Sequence, residues 1–399
     1  MQKIFKNVFI DFAALWYFIF GLLLWIIPIQ VTMVVTVALF AVGFLYEKSI
    51  KLDFSFWVIT IIFILLAYID FHANVNATAI FAVMLPLTYL VGKMIAGKNL
   101  EVIEGRVYPV LLGITIGSWI QGLLDYSMNF RGEEIHTENW TEFWGKTPDI
   151  SRSLFEIYFI FFTCLFVWAL LEFRKHIVLS VVIVVCILAT QYIISLSEGR
   201  MNLGILFGVT VITIAIKLLK SWVGFKPETK KKTKIALIVV ACAVVIYAIA
   251  FTLNLFGLKD LYLNSYLNSS GGFIHNVRFS MMLEGLKMMM AYPTGGWTIT
   301  VGKTLGMVNS TWFLFAQEYD TIIFFLFMVF IVATSINAIK LIINIKTTLD
   351  YWLVALFAGF NVYFLLETCP WRHRSYFVFL LLVCGIIRGR IEAEEHKIG

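Results

Sequence analysis

The chain has 399 residues, 60% of them hydrophobic and only 14% charged, with 31 Lys and Arg against 25 Asp and Glu. Soluble domains carry about 25% charged residues, so this composition cannot solvate a globular surface and excludes a water-soluble fold. The formal charge of +6 is no argument for nucleic acid, because in a membrane chain the side on which basic residues lie matters more than their sum.

Runs of about 20 apolar residues, the length a helix needs to cross a bilayer, recur throughout. Lys3 and Lys6 precede the first run in the manner of a signal peptide. That run has no small-residue cleavage site and turns at Pro28 into a second span, so it reads as an uncleaved first helix. The expected spans are 8–27, 31–46, 54–70, 77–95, 107–125, 153–171, 177–196, 201–219, 235–256, 321–339, 351–367 and 375–388. The fold class is an all-α polytopic membrane protein of about twelve transmembrane helices, one integral membrane domain over 1–399. A long extracytoplasmic loop with an interfacial helix is expected at 257–320, between spans nine and ten. The five cysteines imply no disulfide framework: Cys164, Cys186, Cys242 and Cys384 fall in spans and only Cys369 lies near a surface.

With the N-terminus inside and the spans alternating, most of the 31 Lys and Arg fall on inner segments, including the cluster Lys230–Lys234. This bias predicts both termini in the cytoplasm; the cluster reads as a topology anchor beside anionic lipid. The outer segments are then 28–30, 70–76, 126–151, Ser197–Arg200, 257–320 and 367–374. Basic residues there depart from the positive-inside rule, and an anionic ligand on that face is a physical reason for it.

Arg200 ends the short loop Ser195-Leu-Ser-Glu-Gly-Arg200 and opens the next span. An arginine there works against the helix dipole, but its planar fork of donors and the free backbone N–H groups suit phosphate oxygens. The bland alternative is an arginine snorkelling to the interface. Arg278 opens a stretch in which Met281, Met282, Gly285 and Met289 recur at helical spacing. That predicts a helix at the outer interface with a methionine face that suits an isoprenoid or, more plainly, packs on the bundle. Arg372, His373 and Arg374 make a second anion site or an interfacial aromatic-basic belt. Asn309 stands beside Trp312. General-base candidates are His275, Glu284, Glu318, Asp320, Glu367 and His373, any of which also reads as a plain surface residue.

Gly302-Lys303-Thr304 resembles the end of a phosphate-binding loop, but Gly296 lies one residue too far upstream and the segment is predicted outside, away from nucleotide. No His/Cys/carboxylate set has metal-ligand spacing, so no metal and no cofactor is expected. No internal repeat or inverted symmetry is evident. Asn-x-Ser/Thr sequons start at Asn76, Asn139, Asn268 and Asn309, all on expected outer segments.

About twelve spans, the short Ser-Glu-Gly-Arg loop and one long outer loop together resemble the superfamily of O-antigen ligases and O-antigen or capsule polymerases. Within the long loop, Arg278, the following helix, Tyr292-Pro293-Thr294-Gly295-Gly296 and then Val308-Asn309-Ser310-Thr311-Trp312 resemble the family's order of arginine, helix, Pro-x-Gly turn and a His-Asn motif leading into the next span. The resemblance implies transfer of a glycan from undecaprenyl diphosphate to an acceptor hydroxyl at the outer face of the inner membrane, without metal or nucleotide sugar. It also implies inversion at the anomeric carbon. It gives Arg200 and Arg278 the diphosphate. The family's histidine, a proposed base, falls at Val308, a departure that favours a polymerase over a ligase. Fixed cations beside a departing diphosphate stabilise the charge that develops there. The competing readings are a transporter or flippase of lipid-linked saccharide and a non-catalytic scaffold for glycan assembly. The first is disfavoured by span centres nearly free of charge.

Overall fold

The computed structural model describes residues 14–24, 52–72, 76–96, 100–131, 134–135, 141–142, 145–146, 156–196, 201–222, 277–301, 304–306, 308, 310–367 and 376–398, with isolated positions at 246, 249 and 253. In chain order the helices are α1 Ala14–Leu24, α2 Phe54–His72, α3 Asn76–Ala96, α4 Leu100–Asn129, α5 Ile160–Glu172, α6 Ile177–Leu196, α7 Met201–Trp222, α8 Val277–Ala291, α9 Thr311–Glu318, α10 Thr321–Ile343, α11 Thr348–Leu366 and α12 Tyr376–Ile398. One turn of 3-10 helix, Glu156–Phe159, leads into α5. Short antiparallel hairpins pair Phe130–Arg131 with Glu134–Ile135, Thr141–Glu142 with Gly145–Lys146, and Ile299–Val301 with Thr304–Gly306.

Six of these helices are long and apolar enough to cross a membrane, over Phe54–His72, Glu104–Leu124, Ile177–Ile194, Met201–Lys220, Thr321–Ile343 and Thr348–Leu366. Their outward faces match that environment. On α10 the exposed residues are Ile322, Phe325, Val329, Val332, Ile336, Ile339 and Ile343, an apolar stripe at helical spacing along the whole helix. On α2 the stripe is Phe54, Trp57, Ile61, Ile64, Tyr68 and Phe71, with aromatic side chains at both ends. Water would not tolerate apolar stripes of this length; a bilayer core flanked by aromatic-rich interfaces does.

Each expected span from 54–70 to 201–219 and from 321–339 to 375–388 contains a described helix, with 153–155 and 375 outside the described residues, and of 8–27 the described part is α1. The expected span 31–46 lies outside the described residues, and of 235–256 only isolated positions are described. Helix α12 runs to Ile398, ten residues past its expected end, because the charges that close its apolar run are paired inside the protein.

That pairing depends on a close crossing. Gly385 and Gly389 of α12, four residues apart, face Gly92 and Ala96 of α3. A Cβ on Gly385 would lie 2.0 Å from the Tyr89 carbonyl oxygen, and one on Gly92 would lie 2.3 Å from that of Leu382. Small residues at this spacing let helix backbones approach in a membrane, where packing rather than water drives association. The approach brings Lys93 Nζ within 2.8 Å of Asp53 Oδ2 and 2.9 Å of Glu392 Oε1. Tyr89 donates its hydroxyl to the Asp53 carboxylate, and Arg388 pairs with Glu392 at 2.9 Å.

A second ionic group lies at the same end. Arg390 grips Asp350 through two nitrogens, at 2.9 and 3.2 Å, with Asp350 fully buried. Glu394 Oε1 receives Arg390 Nη1 at 3.0 Å and Lys346 Nζ at 3.1 Å. Asp350 also completes a capping box with Thr347 at the start of α11. Nearby, Thr348 donates its hydroxyl to Glu172 at the end of α5. That bond, and the Lys175 ammonium 3.0 Å away, hold the Glu172 carboxyl below its ordinary range. The starts of α2 and α11 and the ends of α3, α5 and α12 therefore meet at one end of the bundle, called here the ionic end.

Candidate functional site

The opposite end is built differently. Here α9 is slung beneath the surface, its residues Thr311–Gln317 all buried. Eight residues with Trp312, Phe313, Leu314 and Phe315 are too short and too apolar for a surface loop. Trp312 and Phe315 enter an aromatic knot with Phe327 of α10, Phe364 of α11 and Phe377 of α12; the Phe315 and Phe327 rings stack at 4.1 Å and those of Phe364 and Phe377 at 5.1 Å. Thr311 at the head of α9 donates its backbone N–H and its hydroxyl to the Glu367 carbonyl, at 2.9 and 2.7 Å. Tyr319, just past the other end, places its hydroxyl 3.5 Å from Asp70 Oδ1 at the end of α2.

Gln317 holds the preceding turn in place. Its Nε2 donates to the Trp297 carbonyl at 2.9 Å, its Oε1 accepts the Val308 N–H at 3.0 Å, and its carbonyl accepts the Gly296 N–H at 2.7 Å. The Thr321 N–H reaches back to the Pro293 carbonyl. Gly295 and Gly296 adopt φ of 77° and 74°, a region that suits glycine because a Cβ clashes there. A Cβ on Gly295 would also lie 2.5 Å from the Tyr319 carbonyl oxygen. The Pro-Thr-Gly-Gly segment is thus a built turn, locked to α9.

A second polar group occupies the starts of α5 and α7. The Glu156 carboxylate, 2% exposed, accepts the Asn202 backbone N–H at 2.7 Å. The Asn202 side chain donates Nδ2 to the Glu156 carbonyl at 2.5 Å, and its Oδ1 accepts the Thr163 hydroxyl at 3.3 Å. Thr163 Oγ1 in turn accepts Gln191 Nε2 at 3.1 Å. Next to it on α6, Thr190 accepts Trp119 Nε1 from α4 at 2.9 Å. The network ties α4, α5, α6 and α7 together.

Of the residues singled out from the sequence, Arg200, His275, Asn309, Arg372, His373 and Arg374 lie outside the described residues. Arg278 lies in the first turn of α8, where its backbone alone is described. Glu284 is half-buried and pairs with Lys287 one turn on, at 3.0 Å, on the helix surface. Glu318 is exposed at the end of α9, between buried Gln317 and Tyr319. Asp320 caps α10, accepting the Ile322 N–H at 2.6 Å, and Glu367 is buried. The methionine face takes the plainer of its two roles. Met281, Gly285 and Met289 are buried, and Gly285 packs on Val308, Trp297 and Phe313. The exposed stripe of α8 is instead Leu283, Leu286 and Met290.

Glu156, Thr163, Gln191, Asn202, Asp70 and Gln317 were missed. Glu156 and Asp70 look unremarkable near span ends, and an Asn two residues past an arginine looks like a helix start. The signal available was the ionisable residue itself within an apolar run, which in a membrane calls for a partner. Among the described residues no cluster of His, Cys, Asp and Glu has the arrangement to hold a metal ion. Comparisons with protein-family models, with curated proteins and with solved structures give no match.

Proposed function

We propose that the chain is a membrane glycosyltransferase that polymerises undecaprenyl-diphosphate-linked oligosaccharide repeats into surface polysaccharide of O-antigen or capsule type. It acts at the outer face of the inner membrane, with both termini in the cytoplasm, about twelve spans, and no metal. The observation that carries this reading is the unit α8, locked turn, α9 and α10. It follows the order of helix, Pro-x-Gly turn and motif leading into a span on which the resemblance rests. Its turn and buried helix are held by specific hydrogen bonds rather than left as a solvated loop.

In this reading Arg200 and Arg278 clamp the diphosphate, with Arg372, His373, Arg374 and Asn309 as further substrate-binding groups. The acceptor hydroxyl attacks the anomeric carbon and the bond to the diphosphate oxygen breaks, its electron pair leaving with the phosphate. Fixed guanidinium groups stabilise that charge in a site poor in water. A ligase, which transfers a finished glycan to a different acceptor, is the nearer alternative. It is disfavoured because Val308 stands where ligases rely on histidine, fully buried against Gly285 with an apolar side chain that cannot take a proton.

The test is a glycan ladder from cells lacking the protein, complemented with wild type, Arg200→Ala or Arg278→Ala at matched expression. Wild type restores the ladder and both variants leave single lipid-linked repeats. Polymer that forms without the protein and is merely moved to an acceptor by it identifies a ligase. Normal ladders from both variants overturn the arginine clamp, and repeats that fail to cross the bilayer without the protein identify a transporter.

A further inference from the structure

At the ionic end, Lys93, Lys175, Lys346, Arg388 and Arg390 each lie within 3.1 Å of a carboxylate. Two exposed lysines of the same end are used differently. Lys220 and Lys340 make no ion pair among the described residues, although both stand at the rim where the apolar face of α10 ends.

The two come from different helices and serve the same helix end. Lys220, in the last turn of α7, donates Nζ to the Ile343 carbonyl at 2.5 Å and lies 3.5 Å from that of Ile345. Lys340 belongs to the last turn of α10, which Ile343 closes, and its carbonyl receives the Asn344 N–H. The backbone bonds hold the Lys220 ammonium in place and leave one of its three donors for a ligand. They also set it against the negative end of the α10 dipole, which offsets part of its charge. Lys340 supplies further charge that no described carboxylate balances. The adjoining surface is apolar. Ile336, Ile339 and Ile343 share the exposed face of α10 with Lys340, and Leu219 lies exposed beside Lys220. Ammonium groups from two helices above such a face suit a phosphate that carries acyl chains; a free phosphate would leave the face unused. Basic clusters at the membrane–water boundary hold anionic head groups in this way.

We propose that an anionic phospholipid docks at this junction of α7 and α10, with its phosphate between Lys220 and Lys340 and an acyl chain along Ile343, Ile339 and Ile336. The phosphate adds a second link between the two helix ends to the one that Lys220 makes with the α10 backbone, so the bound lipid stabilises the bundle. The site is independent of the transferase reading and of which side of the membrane the ionic end faces.

The experiment titrates the full-length protein, purified in detergent, with dioleoyl phosphatidylglycerol or dioleoyl phosphatidylcholine and reads lipid retention by native mass spectrometry. Wild type retains the first about 25-fold more tightly, at about fivefold for each lysine near the surface. Its thermal midpoint rises with phosphatidylglycerol, as for any ligand that binds the folded state alone. Lys340→Gln cuts the preference about fivefold, and Lys340→Arg keeps it. Arg174→Gln, which removes an exposed cation at the end of α5, leaves it unchanged. Ile339→Asn weakens retention of both lipids. Equal retention of the two lipids by wild type overturns the proposal. So does an equal loss of preference in Arg174→Gln and Lys340→Gln, which marks a general pull of the basic rim on anionic lipid. Displacement of phosphatidylglycerol by inorganic phosphate overturns it in favour of a plain phosphate site. Lys220→Gln should remove the other half of the preference. Should that variant fail to fold because α10 loses its cap, wild-type retention in both Lys340→Gln and Ile339→Asn overturns the proposal instead.

Discussion

At the ionic end, Lys93, Arg388, Lys346 and Arg390 each contact a carboxylate, and the contacts join helices far apart in sequence. At the opposite end many of the joints run through carbonyls, hydroxyls and amides, as where Gln317 latches the Trp297 carbonyl and the Val308 N–H. The first arrangement matches charge with charge across helices. The second latches backbone groups with neutral side chains. The contrast separates an end joined by charge from an end joined by neutral latches.

The contrast predicts different failures for similar insults. Asp350→Ala strands Arg390 in the interior and should cost about 3–5 kcal/mol, the usual penalty for breaking a buried pair from one side. Thermal unfolding in detergent measures this, and pairing Asp350→Leu with Arg390→Met should recover much of the loss. Gly385→Ala forces a methyl against the Tyr89 carbonyl and should cost about 3 kcal/mol by overpacking, read as loss of monodisperse protein. Gln317→Leu unlatches two buried backbone groups, at about 1–3 kcal/mol each, but the loss should be local. Hydrogen exchange over 293–308 should quicken while the ionic end keeps its protection; equal quickening at both ends would dissolve the distinction drawn here.

Thr348→Val tests a subtler point. Glu172 titrates below its ordinary range when folded, so its contribution is present above the unfolded carboxylate pKa and is lost as pH falls through the lowered folded value. Without the Thr348 hydroxyl the two values converge, and the thermal midpoint should vary less across that acidic window. Smallest of all, Glu284→Gln should change stability by less than about 0.5 kcal/mol, as for other surface pairs, read from the thermal midpoint.

The long apolar runs that became α2, α6, α7, α10 and α11 were legible because a bilayer imposes length and composition on whatever crosses it. Three features were not. The continuation of α12 was hidden because Arg388, Arg390, Glu392 and Glu394 look like a cytoplasmic tail until their partners on other helices are known. Helix α9 was hidden because eight residues fall below the length at which periodicity speaks, and its burial depends on an aromatic knot drawn from three other helices. Of the candidate site, Arg278 could be placed on a helix start and the Pro293–Gly296 turn recognised from its glycines. Glu156 and Gln191 could not be linked, because 34 positions and two helix boundaries separate them.

The crossing of α3 and α12 also has a consequence in time. Lys93 and Glu392, bonded in the finished protein, are 299 residues apart. At about 5–20 residues per second, translation takes roughly 15–60 s to travel that distance. Throughout the interval α3 sits in the bilayer with its glycine groove empty and an ammonium lacking one of its two carboxylates. The nascent chain is therefore an unfinished ring awaiting its clasp, and a chain cut short before Gly385 should turn over faster than the full-length protein in a pulse-chase.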